Sequence, residues 1–284
     1  MPIHSKIISA SLLGLFIAGC GGGGSDTSAS SGGGNVASDN IPFLGIHMHL
    51  SGTSPLLLES ATLFLKASQA QCKSFKEICA LAPVGTNDAV CKTLPNEYQF
   101  KGNLADAGKD EVDEYFATGE RMRTTRTRVN AFFITSTCGS EVKEVESVKI
   151  RQFTATGWTD YERKEDRNKA RYWQRTDREM LPDAVMAQLA SLAPVTGASV
   201  SPPSGKDSVA NNPCDIHSIS GPMVGTICIT KTDTPYPGIL TLAVTLGGAN
   251  SPVVLNRRAT VVTKNTQLNR ADFYPPADEP VKLL

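Results

Sequence analysis

The sequence predicts a β-rich α+β fold, mainly antiparallel sheet with a few short helices, stapled by disulfides. Two observations carry the sheet. Stretches rich in Thr, Val and Phe occupy 121–137 and 142–158, and β-branched stretches that alternate at a two-residue period occupy 216–230, 238–246 and 252–264. Each is bounded by Gly, Pro or Asn, the residues that punctuate strands. The third observation is cysteine usage: seven are present, and setting Cys20 aside leaves Cys72, Cys79, Cys91, Cys138, Cys214 and Cys228. No two of them form a Cys-x-x-C pair, which argues against zinc, redox and haem-attachment sites, and an even number in an exported chain reads as disulfides.

Export is read from the N-terminus. Lys6 supplies a positive start, 7–18 is an apolar run, and Ala18-Gly19 are small residues immediately before Cys20. This is signal-peptide architecture, and it resembles the lipobox of bacterial lipoproteins. The resemblance implies removal of 1–19, leaving Cys20 as the first mature residue, lipidated on its sulfur and its amino group. Several acyl chains on one cysteine hold a protein at a membrane surface almost permanently. Gly21 rather than Asp after the cysteine implies, by the same resemblance, sorting to the outer membrane. The apolar run is shorter than the ~20 residues that span a bilayer.

From Cys20 to residue 40 the chain is Gly, Ser, Ala, Asn, Asp and Thr with almost no hydrophobe, a composition that orders poorly and serves as a tether with a reach of roughly 25 Å. A β-rich domain with short helices is expected over 41–195, a linker or long loop over 196–213, further strands over 214–274 packing back on the first part, and a flexible tail over 275–284. Within the first part, 41–50 reads as a strand. Ser54-Pro55 places a capping side chain before a proline suited to a first helical position, so a helix is expected within 55–81. Asp110, Asp113, Val112, Tyr115 and Phe116 read as a short capped helix ending at Gly119. The stretch 159–176 fits either a polar helix or, preferably, a hairpin turning at Asp166-Arg167 with Tyr161 opposite Tyr172 and Glu162 opposite Arg171. Val185, Leu189 and Leu192 stand at helical spacing, and a short helix is expected over 181–192.

Composition excludes more than it assigns. Twenty-eight Lys and Arg balance 28 Asp and Glu, so no net field draws the chain to nucleic acid. Nucleophile-elbow, HExxH, dinucleotide and Walker motifs are absent. His47-Met48-His49 would put both imidazoles on one face of a strand, and it resembles the His-x-His of amidohydrolase-type barrels. Those barrels need further ligands, whereas this chain offers only His217 beyond the export segment, so no metal or other cofactor is assigned. Asp106, Asp110, Glu111, Asp113 and Glu114 lack calcium-loop spacing and read as a solvated helix face. Arg121, Arg123, Arg126 and Arg128 suggest anion binding or a charge-protected strand edge; in a regular strand the first two and the last two face opposite sides. Trp158, Tyr161, Tyr172 and Trp173 form an aromatic group split between core and a platform for glycan or protein partners.

Six cysteines allow fifteen pairings and the sequence alone selects none of them; separation suggests Cys214 with Cys228 across a turn near Gly221 and Cys79 with Cys91 across a short loop, leaving Cys72 with Cys138. The functional expectation is a membrane-anchored envelope lipoprotein with a non-catalytic binding or structural role, its partners the membrane and an envelope protein or glycan. The alternatives are a hydrolase acting on envelope material and a metal- or small-ligand-binding lipoprotein.

Overall fold

Strand formation follows the alternation of inward and outward side chains, and it draws in charged residues as readily as apolar ones. Lys109–Ala117 shows this most plainly: Asp110, Val112, Glu114 and Phe116 are buried while their neighbours are more exposed. The short helix expected there is therefore corrected to a strand. Two carboxylates at inward positions had disguised a period of two.

The computed structural model describes residues 42–81, 91, 97–117, 121–134, 138–154, 156–179, 199–230, 238–246 and 253–284. The export segment, Cys20, the tether and the helix expected over 181–192 lie outside them. In chain order come β1 (Pro42–Thr53), α1 (Pro55–Leu81), β2 (Gln99–Lys101), β3 (Lys109–Ala117), β4 (Arg121–Ile134), β5 (Gly139–Phe153), β6 (Gly157–Glu165) and β7 (Arg171–Glu179). Then follow β8 (Ser199–Val200), β9 (Gly205–Val209), β10 (Asn212–Ser220), β11 (Met223–Thr230), β12 (Gly238–Leu246), β13 (Val253–Asn269) and β14 (Val281–Leu283). The fold is β-rich and mostly antiparallel, as the alternation predicts.

All these strands belong to one sheet with the order β14-β7-β6-β5-β4-β3-β1-β13-β12-β11-β10-β8; β2 adds to β5 and β9 to β10. The first and last thirds of the chain meet at its centre, where β1 pairs antiparallel with both β3 and β13. β4 lies between β3 and β5, so its arginines do not guard an edge. Ile46, Met48, Leu50, Val112, Phe116, Met122, Leu240 and Ala259 form the central core, together with Cys214 and Cys228.

α1 starts where Ser54-Pro55 predicts. The Ser54 carbonyl accepts from the amides of Leu57 and Leu58, and its hydroxyl donates to the Val254 carbonyl, tying the helix start to β13. At 27 residues α1 is longer than the short helices expected.

Three further expectations are corrected. The stretch 196–213 is not an unstructured linker: β9 and β10 form a hairpin in which Ala210 and Asn211 both have positive φ, 49° and 61°. Its residues are polar because β9 is largely exposed, and polarity without burial resembles a loop. The tail is not free either, since β14 adds parallel to β7 at the sheet's end and Trp173 Nε1 donates to Glu279 Oε2 at 2.5 Å. The hairpin over β6 and β7 forms, but Tyr161 faces Arg175 and Glu165 faces Arg171. Its loop runs to Ala170 because Asp166 Oδ1 accepts from the amides of Asn168 and Ala170, at 2.8 and 2.9 Å, with Lys169 at φ 62°. A two-residue turn would have put the strands in a different register.

Candidate functional site

Side chains from β1, β3, β4, β5, β6, β12 and β13 line a cavity of about 380 Å³. These are seven consecutive strands of the sheet. Laid flat they would span roughly 28 Å, so a cavity this small requires the sheet to curl around its own face. The deep wall consists of Leu50, Glu114, Met122, Ile239, Leu242 and Arg257, all at least 93% buried. Towards the mouth stand Arg128, Val145, Ser147, Lys149 and Glu162.

The charges at the floor follow from register. Across the sheet, Arg128 faces Asp110, Asp110 faces Gly52, Gly52 faces Arg257, and Arg257 faces Leu242. A Cβ on Gly52 would stand 2.9 Å from the Arg257 Cα and closer still to the Asn256 carbonyl oxygen. Glycine thus allows β1 and β13 to approach and leaves an opening between Asp110 and Arg257.

Asp110 is 1% exposed, and four guanidinium nitrogens surround its two oxygens. Arg126 donates to both, from Nε at 2.5 Å and Nη2 at 2.7 Å; Arg128 Nε stands at 3.5 Å and Arg257 Nε at 3.7 Å. Burial alone would push this carboxyl up, but the Arg126 hydrogen bonds and the three nearby positive charges outweigh it and hold its pKa below the usual carboxylate range. Three cations on one carboxylate leave an excess of positive charge around it, although only Arg257 is itself buried. Burial brings Arg128 down to about 10, with the charge of Arg126 adding to the effect. Burial also lowers Arg257, only partly opposed by Asp110.

Arg257 is 3% exposed, and its Nε and Nη2 make no hydrogen bond within the protein. Glu114, 4% exposed on β3, is likewise unpartnered at Oε2. Burial pushes its carboxyl up to about 7, against the pull of Arg257, Arg126 and Arg151. Buried donors and acceptors without partners are uncommon because each carries its full desolvation cost. Here three such atoms, on two residues, stand at one cavity.

The wall of β5 and β6 is held by a second buried network. Arg151 donates to Asp160 from Nε at 2.7 Å and Nη2 at 3.0 Å, and Trp158 Nε1 donates to the same carboxylate at 3.1 Å. Lys149 Nζ reaches Asp160 at 3.1 Å, so Lys149 is already matched to a carboxylate.

The sequence-selected residues divide between the two faces. Of the basic run, Arg126 and Arg128 reach the cavity, and Arg123 lies near Asp272 at 3.5 Å instead. The run therefore makes no single patch, and Arg257, distant in sequence, completes the inner group. The acidic run splits the same way, so the solvated helix face is corrected: Asp110 and Glu114 are buried inward, while Glu111 and Asp113 meet the histidines outside.

There His47 Nε2 and His49 Nδ1 both hydrogen-bond Asp113 Oδ1, at 2.8 and 3.0 Å, and His47 stacks on Tyr115 with ring centroids 4.6 Å apart. Among the described residues no group of three or more His, Cys, Asp or Glu side chains is arranged to hold a metal ion. Ser51 donates to Glu111 Oε1 at 2.8 Å, so its hydroxyl is not activated by an imidazole. His217 is on β10, with three strands between it and β1, and contacts the Ser201 carbonyl.

The aromatic group also separates. Trp173 packs with Val148, Ile150 and Tyr161, Trp158 with Phe153, and the Lys282 ammonium lies 4.2 Å from the Tyr172 ring centroid. Both tryptophans are core residues.

The disulfides are Cys72–Cys138, Cys79–Cys91 and Cys214–Cys228, each with Cα atoms 5.5 Å apart. The first fastens α1 to the start of β5, and the last joins neighbouring strands β10 and β11.

No family model matches this chain, and comparison with curated proteins finds no significant relative.

Proposed function

We propose that this chain is a lipid-anchored protein of the bacterial cell envelope, held to the membrane through Cys20, with a non-catalytic role of binding a small molecule in the curled face of its sheet. The export segment and the lipobox resemblance support the anchor. The Gly- and Ser-rich stretch after Cys20 suits a tether that lets the folded part stand off the headgroups. Three disulfides agree with an oxidising compartment. The single observation that carries the binding role is the cavity across seven strands whose buried wall holds polar atoms with no hydrogen bond to the protein, on Arg257 and Glu114.

The anchor is tested by metabolic labelling with radioactive palmitate and membrane fractionation. Wild type is expected to be labelled and membrane-bound, and Cys20→Ala to be unlabelled; label that persists in the variant overturns the anchor. The binding role is tested on the lipidated protein by calorimetric titration with small amphiphiles. Saturable heat at a one-to-one ratio supports it, and absence of any saturable component across the ligand set below overturns it.

A further inference from the structure

Resting on that binding role, we infer that the ligand is a small organic anion, a carboxylic acid with a short apolar body, whose carboxylate is received at the cavity floor by Arg257 and Glu114. The group that asks for an acceptor is Arg257: it is 3% exposed, and its Nη2 hydrogen-bonds nothing in the protein. A guanidinium is the side chain best shaped for a planar carboxylate.

Charge points the same way. Asp110 is the only carboxylate hydrogen-bonded to the inner arginines among the described residues, and Arg126 occupies both of its oxygens. Arg128 and Arg257 stand farther from it, at 3.5 and 3.7 Å. One further negative charge would relieve the excess that three clustered cations, Arg257 buried among them, create around Asp110.

Glu114 completes the seat as a donor. Its Oε2 is unpartnered in a wall of Leu50 and Met122, where burial favours the protonated carboxyl. A neutral carboxyl gives one O–H to an anion, much as the guanidinium gives its N–H. A second permanent anion at Glu114 would instead compete with the ligand for Arg257.

The surroundings make the ligand organic rather than a bare ion. Leu50, Met122, Ile239 and Leu242 are buried beside these polar groups. A volume of about 380 Å³ is at the small end of the ~300–1,000 Å³ typical of small-molecule sites, so the apolar body is short.

The test titrates full-length lipidated protein in detergent with octanoate, octanol and inorganic phosphate, each measured beside Arg257→Met in the same micelles. Octanoate is expected to bind wild type about 10- to 100-fold more tightly than octanol, the range set by one hydrogen-bonded charge. Phosphate is expected not to displace it, and Arg257→Met, with an unchanged circular dichroism spectrum, to lose octanoate by a similar factor. If that variant misfolds, the octanoate-to-octanol ratio on wild type decides alone. Equal binding of octanoate and octanol overturns the anionic ligand while leaving the binding role standing. Displacement of octanoate by equimolar phosphate overturns the apolar body. If none of the three binds, this inference and the binding role both fail.

Discussion

The Arg257 guanidinium lies 3.7 Å from the Asp110 carboxylate, and the residue paired with both of them on the strand between is Gly52. The absence of a side chain there lets cations from β4 and β13 share one buried carboxylate. Removing the charge from that carboxylate strands them. Asp110→Asn is expected to cost about 3 to 5 kcal/mol, the range for breaking a buried pair by neutralising one partner. Urea unfolding with the disulfides intact would measure it, and a loss below about 1 kcal/mol would show that the cluster does not hold the sheet centre.

Glu114 predicts an unusual pH slope. Its folded pKa of about 7 exceeds its ordinary value of 4.5, so between these the folded chain retains a proton that the unfolded chain has released. That contribution is present in full below about 4.5 and is lost as pH rises through about 7, up to about 3 kcal/mol in all. The charges facing Glu114 are Arg257 on β13, Arg126 on β4 and Arg151 on β5. The low-pKa carboxyls Asp110 and Asp160 titrate below the window. Glu114→Gln should therefore flatten the fall in stability between pH 5 and pH 7. Parallel slopes for wild type and variant would refute the buried proton.

The β9–β10 turn places Ala210 at φ 49°. Left-handed backbone costs a residue with a Cβ about 1 to 2 kcal/mol, and asparagine escapes part of this. Ala210→Asn should raise stability by up to about 1 kcal/mol, seen as a higher denaturation midpoint at constant m. An unchanged or lower midpoint would count against the turn geometry.

The disulfides predict that alkylation of the denatured, unreduced protein labels none of Cys72, Cys79, Cys91, Cys138, Cys214 or Cys228. Replacing Cys214 and Cys228 together with Ala should cost about 2 to 5 kcal/mol. Peptide mass mapping would read the first outcome directly, and two or more labelled cysteines would contradict the pairing.

What could be read from residues alone was whatever depends on local pattern. Strands β1, β11 and β12 alternate inward apolar with outward side chains, β4 is marked by its Thr, Val and Phe content, and Ser54-Pro55 announces α1. Short separations suggested Cys79–Cys91 and Cys214–Cys228, whereas Cys72–Cys138, 66 positions apart, followed only as the remaining pair. Arg126 and Arg128 could be assigned to one face by parity. What those two residues would meet could not be read, since Arg257 is 131 and 129 positions away from them and arrives only through the pairing of β13 with β1. The same long-range pairing turned Asp110 and Glu114 inward: a carboxylate in isolation belongs in water, and nothing in its neighbours says that three guanidiniums will replace that water. Polarity hid β9 and brevity hid the three-residue β14, because sheet-edge hydrogen bonds need neither a buried face nor a long apolar run. Local periodicity therefore determined the elements and the sheet character of this protein. The curled sheet, its cavity and its buried charges were decided by tertiary contacts, whose electrostatic compensation lies far away in the chain.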